Sequence, residues 1–216
     1  MENLSLTQEY LLSTLGEKGK YSSMQIEKGI CLVAAGILEL LMDGISETDG
    51  KKIWMVKPLP QEKSYLSSLA GMINQKQPVK LEKVIETYSF QLNDKKTNEL
   101  FLALGDSLEQ LGCVKKETGG LFGKSTVYIP LAHKKDMVIQ KIRAELLEEG
   151  ELSDDIIALT ALLHKSGDLS RYFSNYEKKA LKTRLKSIKE SCENQMVAKM
   201  VEYIETLFAM VVIAAT

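Results

Sequence analysis

Histidine is almost absent from this chain of 216 residues: His133 and His164 are the only two, alongside three cysteines, four prolines and one tryptophan. Nucleophilic catalysis needs a Ser, Cys or Thr beside a general base, and neither histidine lies in a motif that supplies one. A G-x-S-x-G elbow, a P-loop and an H-E-x-x-H pair are also missing. No enzymatic constellation is therefore expected. Cys31, Cys113 and Cys192 are far apart and form no C-x-x-C pair. Zinc would need grouped ligands, so no metal and no cofactor is expected, and the odd cysteine count suits reduced thiols in a cytosol. The formal net charge is -1, so no global field draws the chain onto nucleic acid or an anionic bilayer. Met1 to Thr7 has no basic or strongly apolar stretch, and no secretory signal is expected. The longest apolar run, Leu207 to Ala215, falls well short of the roughly 20 residues that span a bilayer.

What is present is ordinary globular material, 44% hydrophobic and 26% charged. The length suits one domain over residues 1–216. Ser5 and Gln8 form an S-x-x-Q capping box ahead of Leu6, Leu11, Leu12 and Leu15, which predicts a short first helix closed at Gly16. Ser22 and Gln25 repeat the box before Ile26, Ile30, Val33, Ile37, Leu38 and Leu41, and Asp43-Gly44 ends that helix. Both helices read as amphipathic. Ile45 and the run Ile53 to Val56 flank Asp49-Gly50, a hairpin signal. Helical patterns follow around Tyr65 to Ile73, Leu81 to Tyr88 and Thr97 to Leu111. A second hairpin pairs Cys113 to Glu117 with Ser125 to Ile129 around a Gly-rich tip. Four more helices are predicted near Asp136 to Glu149, Asp154 to Lys165, Tyr176 to Glu190 and Gln195 to Ala214. The fold class is thus mostly α, a compact helical domain with small β-hairpins.

His164 directly follows Leu162-Leu163 and reads as a helix-end residue, while His133 reads as surface. Asp154-Asp155 follow Ser153 at a helix start, where the macrodipole favours negative charge. Two features stand out more. Arg171, Lys178, Lys179, Lys182, Arg184, Lys186 and Lys189 share a segment in which Glu177 is the only acid before Glu190. That is a solvated helix face or a surface for phosphates. Leu121-Phe122 at the Gly-flanked hairpin tip is a candidate contact with a membrane or a partner.

The order of these elements, with several local strings, resembles the Golgi phosphoprotein 3 family over nearly the whole chain. Leu4-Ser5-Leu6-Thr7-Gln8-Glu9-Tyr10-Leu11-Leu12 is similar to the family's L-T-L-x-E-E-x-L-L, and Leu38-Glu39-Leu40-Leu41-Met42-Asp43-Gly44 to its I-E-L-A-L-R-G. Leu108-Glu109-Gln110-Leu111-Gly112-Cys113-Val114 resembles L-V-E-K-G-V-L ahead of the family's hairpin. Leu159 to Gly167 and Phe208 to Val212 complete the likeness.

The resemblance implies a non-catalytic module that binds phosphatidylinositol 4-phosphate, or another anionic phospholipid head group, on the cytosolic face of a membrane. It also implies that the 113–129 hairpin mediates homo-oligomer contacts and membrane insertion. The family reads the inositol phosphate with one Trp and three Arg, and the matching positions here are Met24, Val33, Asn98 and Phe101. None of these supplies a charge-assisted donor. Lys20, Lys28, Lys95 and Lys96 lie within a few residues of them and are candidates for a displaced anion site, against the plainer reading of surface lysines. Prokaryotic family members have no Golgi to serve, and the altered site suits one of those. The competing reading is a cytosolic protein-interaction adaptor without a lipid ligand. A helix followed by a hairpin also resembles a winged helix, but Asn98 to Leu111 offers Glu99, Asp106 and Glu109 and no cation, so no nucleic acid is expected.

Overall fold

Every residue of the first helix, α1 (Leu6–Thr14), is buried. This computed structural model describes residues 4–19, 26–75, 78–89, 95–119, 125–147, 152–190 and 205. The Ser22/Gln25 box, Met24, Lys20, the Leu121-Phe122 tip, Cys192 and, apart from Glu205, the helix expected from Gln195 lie outside the described residues.

The Ser5 capping box forms as its spacing predicts. Its hydroxyl accepts from the Gln8 amide, and the Gln8 side chain accepts from the Ser5 amide at 3.0 Å. Amphipathicity does not describe this helix, because it is covered on all sides by the second helix and by elements from the far half of the chain. Its polar residues tolerate this by pairing with neighbours. Gln8 reaches Ser107, Thr14 bonds the Leu11 carbonyl, and Glu9 meets Lys141 at 3.2 Å. Burial outweighs that lysine at Glu9 and holds its carboxyl above the usual carboxylate range.

Helix α2 (Ile26–Met42) is likewise buried throughout from Ile30 to Leu40, so its apolar stripe is a core helix rather than a surface one. Gly44, at φ +60°, ends it as the Asp43-Gly44 signal predicts, and the Ile45 amide turns back to the Leu40 carbonyl at 2.9 Å. Strands β1 (Ser46–Thr48) and β2 (Lys52–Met55) form the expected antiparallel hairpin, with Glu47 opposite Trp54 and Asp49 accepting from the Lys51 and Lys52 amides. A strand that periodicity gave no sign of, β3 (Val79–Lys80), adds to the outer edge of β2. Between them run a 3-10 segment (Gln61–Leu66) and α3 (Ser67–Gln75), and α4 (Leu81–Ser89) follows.

Helix α5 (Lys95–Gln110) ends at Gly112, φ +60°, with Cys113 donating to the Leu108 carbonyl at 2.8 Å. Strands β4 (Val114–Gly119) and β5 (Ser125–Pro130) pair from Val114–Pro130 to Gly119–Ser125. Tyr128 of β5 fixes this hairpin to α5: its ring stands edge-on to Phe101 at 5.4 Å, and its hydroxyl meets Asp106 Oδ1 at 2.6 Å. The second half comprises α6 (Ala132–Leu147), α7 (Asp154–Lys165), a 3-10 segment (Asp168–Arg171) and α8 (Asn175–Glu190). At the start of α7, Ser153 does not cap through its side chain but donates to Glu145, and Asp155 pairs with Lys141 at 2.7 Å. One apolar cluster draws residues from all eight of these helices, with α1 and α2 at its centre.

Candidate functional site

The α2 and α5 helices meet where Gly29 approaches Thr97, an added Cβ on Gly29 falling 3.8 Å from the Thr97 methyl. Around this contact lie the positions at which the sequence placed a head-group site. Val33 is wholly buried, and Phe101, 6% exposed, lies under Tyr128. Asn98 is exposed. Val33 and Phe101 therefore belong to the apolar core.

The lysine candidates divide between two neighbourhoods. Lys95 is exposed on the first turn of α5. Lys96 is paired with Glu99 at 3.0 Å, both side chains 40% exposed, and Glu99 in turn accepts from Ser68. The Lys96 interaction holds Glu99 below the usual carboxylate range. Lys28 turns the other way. Its ammonium meets Asp168 at 2.8 Å, and Asp168, 1% exposed, also accepts from Arg171 at 2.9 Å and from Ser166 at 3.0 Å.

That second neighbourhood closes the C-terminal end of α1. Lys135 donates to the Leu15 carbonyl at 2.5 Å, Arg171 to that of Thr14, and the Tyr172 hydroxyl to that of Ser13. Cations at a helix C-terminus meet the negative end of its macrodipole as well as its unpaired carbonyls. Burial, aided by Arg171 and Lys28, pushes the Lys135 ammonium down to about 8. Unfolded, the same lysine titrates near its ordinary value, so between these two pH values the unfolded chain binds more protons and stability rises with pH. Urea unfolding of the wild type is accordingly expected to gain stability from pH 8 to pH 9.5, and Lys135→Met to lose that gain. None of these contacts had a local sequence signal, since the partners lie far apart in the chain.

The model of the Golgi phosphoprotein 3 (GPP34) family matches residues 6–205. The chain belongs to that family. No curated protein matches it. The mostly helical architecture with two small antiparallel sheets fits a Golgi phosphoprotein 3 domain. Among the described residues of this family member, no group of three His, Cys, Asp or Glu side chains is placed to hold a metal ion, and no helix is long and apolar enough to cross a membrane. Burial pushes the Cys31 thiol above its ordinary value.

Proposed function

We propose that this Golgi phosphoprotein 3 family member is a non-catalytic peripheral module that binds anionic phospholipid head groups at the cytosolic face of a membrane. The observation that carries the reading is the family match over residues 6–205. Lys95 supports it as an exposed cation and Lys96 as a half-exposed one whose ammonium is shared with Glu99, and Lys20 is a further candidate from the sequence. Lys28 contributes less, because Asp168 already holds its ammonium. Since Val33 and Phe101 supply no donors, the ligand class is anionic phospholipid in general, with phosphatidylinositol 4-phosphate as one member. The hairpin tip, Leu121-Phe122, is the proposed apolar contact with the bilayer or with a second copy of the chain.

Each lysine near an anionic surface contributes about 1 kcal/mol, so Lys95→Glu/Lys96→Glu is expected to weaken vesicle binding about tenfold or more. Co-sedimentation with phosphatidylcholine vesicles, alone or with phosphatidylserine or phosphatidylinositol 4-phosphate, provides the test. A wild-type protein that stays in the supernatant with every anionic mixture would sink the proposal. The burial of Val33 and Phe101 also favours a second reading, a protein-interaction adaptor without a lipid ligand. A stoichiometric protein partner together with no vesicle binding would select it.

A further inference from the structure

The corner between α7 and α8 contains a pocket of about 480 Å³. His164 lies at its α7 edge, Ser170 comes from the 3-10 segment, and Asn175, Lys178 and Lys179 come from the first turns of α8 above Leu181. No carboxylate lines it among the described residues.

Two acids lie between Gly167 and Leu181, and both are engaged elsewhere. Asp168 is turned inward onto Lys28 and Arg171. Glu177 closes a capping box with Ser174 and faces Arg143 on α6 at 3.3 Å. Lys178 and Lys179 have no carboxylate partner among the described residues; the Lys178 ammonium reaches only the Asn175 carbonyl oxygen, at 3.4 Å. In a chain with 28 basic and 29 acidic residues, two adjacent lysines facing a concave, acid-free space are left with positive potential to neutralise.

We infer that this pocket is a binding site for a phosphate group, carried either by a lipid head group or by free phosphate. Lys178 and Lys179 supply the charge and the Asn175 amide nitrogen a neutral donor, while the Ser170 hydroxyl, which donates to the Gly167 carbonyl at 2.8 Å, would line the site through its oxygen. It is separate from Lys95 and Lys96 and stands on its own lining, whether or not the membrane reading holds.

The test is a nuclear magnetic resonance titration of the whole chain with inorganic phosphate, against chloride at equal ionic strength. Saturable amide shifts are expected at Ser170, Asn175, Lys178 and Lys179. Lys178→Gln/Lys179→Gln should weaken them about tenfold or more, whereas Lys178→Arg/Lys179→Arg and Lys95→Gln/Lys96→Gln should retain them. The side chains replaced are on the protein surface, and unchanged thermal melting confirms that each variant folds. Absence of saturable shifts, or shifts indifferent to Lys178→Gln/Lys179→Gln, overturns the inference. Co-sedimentation with phosphatidylcholine vesicles containing phosphatidylinositol 4-phosphate then separates the two sources. Pelleting lost in Lys178→Gln/Lys179→Gln identifies a head-group site. Phosphate shifts without any dependence of pelleting on these lysines identify free phosphate, and phosphate shifts in a protein that never pellets keep the pocket while removing the membrane reading.

Discussion

Replacing Glu39 with alanine is expected to lower the unfolding free energy by about 4 kcal/mol, read from urea denaturation at neutral pH. Glu39 is 3% exposed in the last turn of α2, yet it completes the N-terminus of α1. Its Oε2 accepts from the Thr7 amide at 3.0 Å and the Thr7 hydroxyl at 2.6 Å, and its Oε1 from Lys63 at 2.8 Å and Tyr65 at 2.6 Å. Removing the carboxylate leaves Lys63 its contact with Asp43 and Tyr65 its contact with Ser5, but strands both donors of the wholly buried Thr7. Glu39→Gln does not restore the arrangement, because one of its two terminal atoms is a donor where only acceptors fit.

Burial would raise the Glu39 carboxyl, but its bonds to Lys63, Thr7 and Tyr65 outweigh this and hold it below the usual carboxylate range. A depressed carboxyl stabilises fully above its unfolded value and loses that contribution as pH falls through the folded one. Acid unfolding of the wild type below about pH 4 should therefore be shallower in Glu39→Gln.

Gly105→Ala is expected to destabilise by about 2 kcal/mol even though alanine is the better helix former by about 1 kcal/mol. A Cβ there would fall 2.2 Å from Cε2 and 2.4 Å from Cζ of Tyr128. The ring cannot swing aside without losing its edge-on contact with Phe101 and its hydroxyl bond to Asp106. The whole β4–β5 hairpin must shift instead, which a change in near-ultraviolet circular dichroism would report. Gly71→Ala is the control. It lies in α3 with nothing within 4 Å of the added Cβ, so it should stabilise by about 0.5–1 kcal/mol.

Local chemistry made much of this fold legible in the sequence. The Ser5–Gln8 box, the Asp49-Gly50 turn and the Gly44 and Gly112 stops each act within a few residues, and each appears where its spacing put it. Strand β3 was not legible because two residues carry no periodicity, and its pairing depends on an edge of β2 supplied from elsewhere. The burial of α1 was not legible either. Thr7, Gln8, Glu9 and Thr14 look like a polar face, and only partners such as Glu39, Ser107 and Lys141 turn them into interior residues. The Golgi phosphoprotein 3 likeness was visible in ordered strings, and the absence of a donor at Val33 and Phe101 was visible as residue types. That these two are core residues required coordinates. The lysine-rich segment was conspicuous, but the pocket beside Lys178 and Lys179 depends on where Asp168 and Glu177 turn, which no spacing reports.

The C-terminal closure of α1 imposes an order on synthesis. The carbonyls of Ser13, Thr14 and Leu15 are taken by Tyr172, Arg171 and Lys135, which lie 159, 157 and 120 residues further along. A ribosome adding 5–20 residues per second reaches Tyr172 on the order of ten seconds after it has made Ser13. For that interval the helix that will become the axis of the core is a nascent segment with one satisfied end. Completion of α1 waits for the 3-10 segment and the residue that follows it to return to the end of this helix.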